Sequence, residues 1–226
     1  MDATMLQEKI YGAYARAAQR IGPMYTLYRP NGAGSPIVPG NIVTTLAASF
    51  NAEDMSYGKP RGYGQAAWYC LADGTQLQVG DYLVNLADAA ESYFIAAMQN
   101  ALPILAVQCN RSVRIGRMPV ENGAGYVGYA GVVQSEERDA LGAAGAEGTF
   151  GSGWPASILL GGKSDNGSVL PSGVKQSGVT ILLPTSVPLA IAQSDVIQDD
   201  MERDYAISSA ELTPLGWRIE ANEEHS

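Results

Sequence analysis

The amino-acid sequence predicts a mainly β protein, with an N-terminal α-helix followed by two small antiparallel β-barrel or sandwich-like units joined by long Gly-rich loops. Three observations support this fold class. The 226 residues include 26 Gly, 12 Pro and 12 Tyr but only 16% charged side chains, a composition that favours short strands and turns. Convincing helical periodicity is confined to the start of the chain. A phrase from the middle of the chain returns near its end, which indicates two similar units.

Residues 1–30 are predicted to hold the helix and a short strand. Gly22 and Pro23 form a strong stop, so we expect the helix to end at Ile21. The stretch "MYTLYRP" then alternates as a strand that Pro30 closes. Residues spaced three and four apart predict one buried helix face, formed by Leu6, Ile10, Ala13, Tyr14, Ala17 and Ile21.

The next segments differ in composition. Residues 31–65 are rich in Gly and Pro without periodicity, so we expect an extended arm that is not a core element. Residues 66–118 contain "AAWYCLADG", "QLQVGDYLV", "SYFIAAMQ" and "ILAVQCNRSVRI", which predict the strands of a first β unit.

The rest of the chain divides in the same way. Residues 119–153 are dominated by Gly and Ala and predict a long loop that needs a partner to become ordered. Apolar runs resume over residues 154–220 and predict a second β unit. Residues 221–226 are expected to form a frayed tail.

The repeated phrase relates the two units to each other. "VGDYL" at 79–83 corresponds to "QSDVI" at 193–197, and "ESYFI" at 91–95 corresponds to "RDYAI" at 203–207. Each Asp is expected to accept backbone N–H groups that its turn leaves open, and each Tyr to present its hydroxyl to water or a partner. The alternative is two unrelated β-hairpins, because hairpin turn preferences are widespread.

Charge and motif content argue against several functions. The net charge of −9 and the lack of an evident Lys and Arg stripe argue against sequence-specific nucleic acid binding. His225 is the single histidine, so a histidine triad or a multi-histidine metal site is excluded. "GAGYVG" at 123–128 lacks the strand and helix that a dinucleotide site needs. We therefore expect no enzyme activity, no catalytic residues, no cofactor and no metal.

Other signals concern the compartment of the protein. Cys70 and Cys109 lie on apolar stretches without a metal or redox spacing, and two buried free thiols are expected. A disulfide requires that their two strands be neighbours. The N-terminus does not resemble a signal peptide, and no stretch is long enough to span a bilayer, so no membrane association is expected.

Aromatic side chains are concentrated in the first 130 residues, beside the Gly- and Pro-rich segments. Tyr and Trp favour protein interfaces because they are large, stiff and half polar, and a carbohydrate-binding face uses the same residue types. We favour an assembly interface, with three Arg side chains paired to a neighbour's carboxylates. The candidate interface residues are Tyr11, Tyr14, Tyr25, Tyr28, Arg29, Tyr63, Trp68, Arg111, Arg114, Trp154 and Arg218.

The order of these parts resembles a group of virion structural proteins encoded by tailed bacteriophages of proteobacteria. The resemblance covers the helix running into "YTLYRP", then "GDYLV", and the closing "DVIQDDMERDYAISSAELTPLGWRIEA". The closing phrase is also similar to small β-barrel proteins of the phage neck. The Gly-rich loop and the second β unit depart from the smallest neck proteins.

The resemblance implies a virion protein, made in the bacterial host cytoplasm, that forms a ring with itself, with six-fold or twelve-fold symmetry. Its other partners would be portal, adaptor or tail proteins of the same virion, and DNA would pass through the ring. Ring closure uses heterologous contacts, and an acidic conduit repels DNA. A receptor-binding, glycan-binding or fibre-attachment module of the distal tail is the alternative.

Overall fold

The computed structural model describes residues 3–52, 66–117, 138–141, 153–160, 178–193 and 195–224. These residues contain the helix α1 (Ala3–Ile21) and a short 3-10 helix (Pro39–Asn41). The strands of the first half are β1 (Met24–Tyr28), β2 (Ile42–Ala47), β3 (Ser49–Ala52), β4 (Ala67–Leu71), β5 (Tyr82–Asn85), β6 (Ser92–Ala97) and β7 (Ile104–Cys109). Those of the second half are β8 (Arg111–Arg117), β9 (Arg138–Leu141), β10 (Trp154–Leu160), β11 (Gly178–Leu183), β12 (Asp195–Asp199), β13 (Asp204–Thr213) and β14 (Gly216–Glu224).

The strands form two seven-stranded sheets with the same topology. The first sheet, which we call the first β unit, has the order β2-β1-β5-β6-β7-β4-β3, and the second β unit has the order β9-β8-β12-β13-β14-β11-β10. If the strands of each unit are counted from one to seven, both orders become 2-1-5-6-7-4-3. All pairs within the sheets are antiparallel. The predicted fold class, one helix followed by two similar antiparallel units, is confirmed.

The two units bring their edges together differently. In the second unit, β10 pairs with β8, with Trp154 opposite Val113, so that six strands close into a barrel. In the first unit, Ala48 alone separates β2 from β3, so both edge strands belong to one bent stretch of chain. The Ala48 N–H donates to the carbonyl oxygen of Pro23 at 3.1 Å, which fixes this corner.

The repeated phrase has a structural counterpart in two hairpins that begin with the same turn. The Asp81 carboxylate accepts a 2.8 Å bond from the Gln78 N–H, and the Asp81 N–H donates to the Gln78 carbonyl oxygen at 3.1 Å. Asp195 makes the same two bonds with Ala192, at 2.8 and 3.1 Å. The predicted role of both Asp side chains is confirmed.

The loop that follows is also built alike in the two hairpins. Asn85 and Asp199, each four residues after the turn Asp, accept the N–H of the residue two positions later at 2.9 Å. The hydroxyls of Tyr93 and Tyr205 were expected to reach water or a partner. They instead donate to carboxylates of their own hairpins, at 3.1 Å to Glu91 and 3.1 Å to Asp199.

A shared core joins the two units. In the first unit, Tyr82, Phe94 and Val107 lie side by side on the outer face of β5, β6 and β7, and their cluster continues into the second unit at Trp154. The Tyr82 and Trp154 rings meet edge to face at 6.2 Å, and the Tyr82 hydroxyl donates to the Pro155 carbonyl oxygen at 2.9 Å. A separate cluster fills the inside of the first unit.

Several expected boundaries need correction. Part of the predicted arm at 31–65 is sheet, because β2 and β3 supply the edge strands of the first unit. The strand expected from "ILAVQCNRSVRI" breaks at Asn110, whose side chain bonds both the N–H and the carbonyl oxygen of Ile158 at 2.8 Å. This clamp directs β8 into the second unit, although 66–118 was assigned to the first.

The two remaining boundaries also shift. β9 lies within the predicted loop at 119–153, where its residues pair with the edge of β8. β14 runs to Glu224 and so includes most of the predicted tail, because its last residues pair with β13.

The helix ends at Ile21 as predicted. Gly22 packs so closely against the carbonyl oxygen of Ala48 that a Cβ atom would overlap it, which explains the glycine at this stop. Cys70 and Cys109 are free and buried, as predicted, and burial raises the pKa of each thiol to about 12.

Candidate interaction surface

The helix α1 packs on the first unit through a face that overlaps the predicted one only in part. Tyr11 covers Gly74, where no Cβ would fit, and Ala18 is fully buried. The Gln7 side chain accepts a 2.7 Å bond from the Ala101 N–H. Of the six residues of the predicted face, Ile10, Tyr14 and Ala17 are partly buried, whereas Leu6, Ala13 and Ile21 are exposed. Small residues and an aromatic ring allow closer contact here than the regular aliphatic spacing does.

The opposite side of α1 carries a set of cations that we call the basic stripe, namely Lys9, Arg16 and Arg20. At 100° per residue, Arg16 and Arg20 lie within about 20° of Lys9 around the helix axis. All three side chains are exposed, and none takes part in an ion pair recorded among the described residues. No evident Lys and Arg stripe was expected from the sequence, and this helical stripe corrects that expectation. The seven- and four-residue spacing of its members is the signal that predicts a shared helix face.

An apolar patch lies beyond the C-terminal end of α1. This Leu86 patch consists of Ile21, Met24 and Leu86, which are 65%, 45% and 59% exposed. The Leu86 N–H donates to the Met24 carbonyl oxygen at 2.9 Å, and Ile21 lies three residues earlier in the chain. Contiguous apolar surface of this kind marks interaction sites.

A second apolar patch lies at the other end of α1. We call Leu102 and Leu215 the Leu102 patch, and each is about half exposed. The bond between Gln7 and Ala101 brings the start of α1 to Leu102. Leu102 and Leu215 line one shallow cleft, which joins the first unit to the turn between β13 and β14. The cleft measures about 170 Å³, below the roughly 300–1,000 Å³ of typical small-molecule sites.

The structure places two predicted contact residues inside the core. Tyr25 is 1% exposed and its hydroxyl donates to Glu91 at 2.9 Å, while Trp154 is fully buried and its indole donates to the Ala33 carbonyl oxygen at 3.2 Å. Burial raises the pKa of Tyr25 far above its usual value, and the bond to Glu91 raises it further. These two side chains stabilise the fold and leave no surface for a neighbour.

Arg29 also has an internal role. Its guanidinium makes two bonds to the buried Asp81 carboxylate, at 2.9 and 2.8 Å, and a third to the Gln76 carbonyl oxygen at 3.1 Å. This bidentate pair raises the pKa of Arg29. It anchors the end of β1 to the turn before β5.

The other predicted Arg contacts are satisfied within the chain. Arg111 lies 3.9 Å from carboxylate oxygens of both Asp199 and Asp200, and Arg218 pairs with Glu220 at 3.1 Å. Arg114 likewise interacts with a partner inside the molecule. Pairing of these side chains with a neighbour is therefore not needed to balance their charge.

The remaining predicted contacts are aromatic. Tyr11, Tyr14, Tyr28 and Trp68 are partly buried, with Tyr11 and Trp68 packed on the core of the first unit and Tyr28 on the shared core. Tyr63 lies outside the described residues, as do the "GAGYVG" motif and His225. The structure does not bring the ten candidates that lie in the described residues together into one surface.

Two further searches concern other kinds of site. Within the described ranges, no group of three or more His, Cys, Asp or Glu side chains is arranged to hold a metal ion. No helix in the described part of the chain is long and apolar enough to cross a membrane.

Comparison of the chain with protein-family models, with curated proteins and with solved structures finds no match in any of the three. The surface around α1 is therefore interpreted from its own chemistry.

Proposed function

We propose that the chain is a non-enzymatic structural subunit of a tailed-bacteriophage virion, as a ring-forming protein of the head–tail connector or of the tail. The observation that carries the proposal is the surface around α1. It combines the basic stripe with the Leu86 and Leu102 patches, one beyond each end of a helix of about 28 Å. Exposed apolar patches that border charged residues are typical of surfaces that other proteins cover.

The internal packing of the chain supports a structural role. The two units share one core, and buried ionic turns lock the ends of their strands. A ring subunit must keep the surfaces that contact its two neighbours in a fixed relative position. A continuous close-packed core provides that rigidity. The phage assignment itself depends on the resemblance described for the sequence.

Two measurements test the proposal. Sedimentation velocity over a range of concentrations is expected to show a closed oligomer. A chain that stays monomeric at high concentration would contradict self-assembly. Cryo-electron microscopy of phage particles that contain the chain is expected to locate it at the neck or along the tail axis.

The distal-tail alternative predicts different outcomes. A receptor- or glycan-binding module would appear at the tip of the tail and would bind sugars on a glycan array. A location at the neck without glycan binding supports the connector assignment.

A further inference from the structure

The charges of the chain are distributed unevenly between its two ends. Residues 3–21, which form α1, carry three basic side chains and one acidic side chain. Residues 195–224, which form β12 to β14, carry nine acidic side chains and two basic ones. This segment holds most of the net charge of −9, whereas the helix has the opposite sign.

Part of that acidic charge lies on an outward face of the second unit. Tyr205 and Ile219 point into the barrel, so the alternation of β13 and β14 turns Asp204 and Glu220 outward. Glu211 stands opposite Arg218 on the same side and is exposed. We call Asp204, Glu211 and Glu220 the acidic face. Arg218 lies among them and pairs with Glu220 at 3.1 Å, so the three carboxylates and this cation have a net charge of −2.

The acidic face occupies a position that serves as a packing surface in the first unit. There, Tyr82, Phe94 and Val107 lie on the outside of the corresponding strands and receive the second unit. The matching outward residues of the second unit are Val196, Ala206 and Asn222. Small and polar residues replace the large apolar ones, so this face suits a charged partner instead of another apolar sheet.

The dimensions of the two surfaces agree. The basic stripe extends about 16 Å along α1, from Lys9 to Arg20. The acidic face extends about 23 Å along β13, from Asp204 to Glu211. A helix laid along these strands brings its three cations within reach of the carboxylates, while Met5 and Leu6 flank the contact with exposed apolar surface.

We infer that the basic stripe of α1 docks on the acidic face of a second copy of this chain. The contact is heterologous, because one copy supplies the helix and the next copy supplies the strands, and repetition of such a contact forms a ring when the rotation closes. The inference rests on the proposed self-assembly and specifies the two surfaces that would produce it.

A charge-matched pair of variants tests the docking. The double variant R16Q/R20Q removes two positive charges from the stripe, and the control T4E/Q19E makes the same change in net charge at exposed positions off the stripe. We expect R16Q/R20Q to raise the dissociation constant about fivefold or more and the control to change it less than about twofold. Sedimentation velocity at low salt measures both. Equal constants for the two variants would overturn the docking.

Charge exchange gives a second, independent test. K9E/R16E/R20E and E211K/E220K are each expected to assemble poorly alone and to form mixed oligomers when combined. Circular dichroism checks that both variants remain folded. Because E220K removes the acceptor of the Thr180 hydroxyl, E211K alone replaces the double variant if E211K/E220K does not fold.

The outcomes separate this inference from the proposed function. If the wild type forms an oligomer that the stripe variants do not weaken, the docking is wrong and self-assembly stands. If the wild type is monomeric throughout, both fail.

Discussion

Asp81 in the first hairpin and Asp199 in the second are buried carboxylates, and each is balanced by an Arg side chain from a different place in the chain. Asp81 is neutralised by Arg29 from a distant strand, while Asp199 is neutralised by Arg203 of its own loop. A charge removed from water destabilises the fold unless cations or N–H groups surround it. The two carboxylates occupy different positions in their hairpins, because Asp81 corresponds to Asp195 and Asp199 corresponds to Asn85. The repeated phrase therefore encodes the turn, whereas the position of a buried charge and its cation depend on the surroundings in each unit.

The pair between Arg29 and Asp81 predicts a large effect of one substitution. Arg29→Ala leaves the buried carboxylate without its cation, and because the Arg29 side chain is 36% exposed we expect a loss of about 2–3 kcal/mol in the free energy of unfolding. Urea denaturation measures it. The exposed pair partner Arg218 provides the control, since Arg218→Ala is expected to cost less than about 0.5 kcal/mol. Similar losses in both variants would contradict the structural role of Arg29.

Asp199 predicts an acid-dependent contribution to stability. Burial alone would raise the pKa of its carboxyl, but bonds from the Arg203 side chain, from two backbone N–H groups and from Tyr205 outweigh burial and lower the pKa. The native state therefore prefers the charged form. Stability from this preference is present above about pH 4 and is lost as the pH falls through the folded pKa.

The variant Asp199→Asn tests this sign. It is expected to be less stable than the wild type by about 1–2 kcal/mol at neutral pH, because a neutral amide accepts weaker bonds from Arg203. The difference should shrink below about pH 4 in urea titrations at several pH values. A difference that grows on acidification would show that the pKa shift has the opposite direction.

At the scale of elements, residues close together in the sequence correctly predicted the helix end and the turns. The end of α1 followed from Gly22 and Pro23, and the turns followed from Asp81 and Asp195. The assignment of strands to units did not follow, because Asn110 redirects the chain by bonding to a strand far away in sequence. Which strands pair with each other depends on residues far apart in the sequence, so local composition does not predict it.

The packing face of α1 and the burial of two aromatic candidates were not predicted from the sequence, for a related reason. Aliphatic spacing predicted a face that includes the exposed Leu6 and Ile21, whereas the helix packs through Tyr11 and the small Ala18. The predicted aromatic contacts followed residue type alone, and burial removed Tyr25 and Trp154 from the surface. Which large side chains remain exposed depends on sheet order, which the sequence alone did not give.

The turn before β5 predicts a strong effect of a glycine substitution. Gly80 has a φ of +91°, and a Cβ there would lie 2.7 Å from the Ser186 Cβ of the second unit. We expect Gly80→Ala to cost about 2 kcal/mol or more through strain and overlap. Gly34→Ala, with nothing within 4 Å of its Cβ position, should change stability by less than about 0.5 kcal/mol. Thermal unfolding of both variants decides the matter.

At the scale of the whole molecule, two units of equal topology are fused through one core. Tyr82 of the first unit touches Trp154 and Pro155 of the second, and the Ser186 hydroxyl donates to the Gly80 carbonyl oxygen at 2.9 Å. A shared core ties the stability of each unit to that of the other.

This fusion predicts a single unfolding transition. Trp154 and Trp217 both belong to strands of the second unit, so the variant W68F, which keeps the Trp154 contact of the shared core, has fluorescence that reports on the second unit. In this variant we expect the urea transition seen by Trp fluorescence to coincide with the transition seen by far-ultraviolet circular dichroism, which reports on both units. A fluorescence transition displaced from the circular dichroism transition would show that the units unfold independently.

The outward face of the second unit differs from the face that joins the two units. A further module of this topology, packed on the second unit as the second is packed on the first, would meet Val196, Ala206 and Asn222 in place of Tyr82, Phe94 and Val107. The large aromatic side chains are absent at that position, so the apolar contact that joins the two units is not repeated on this outer face.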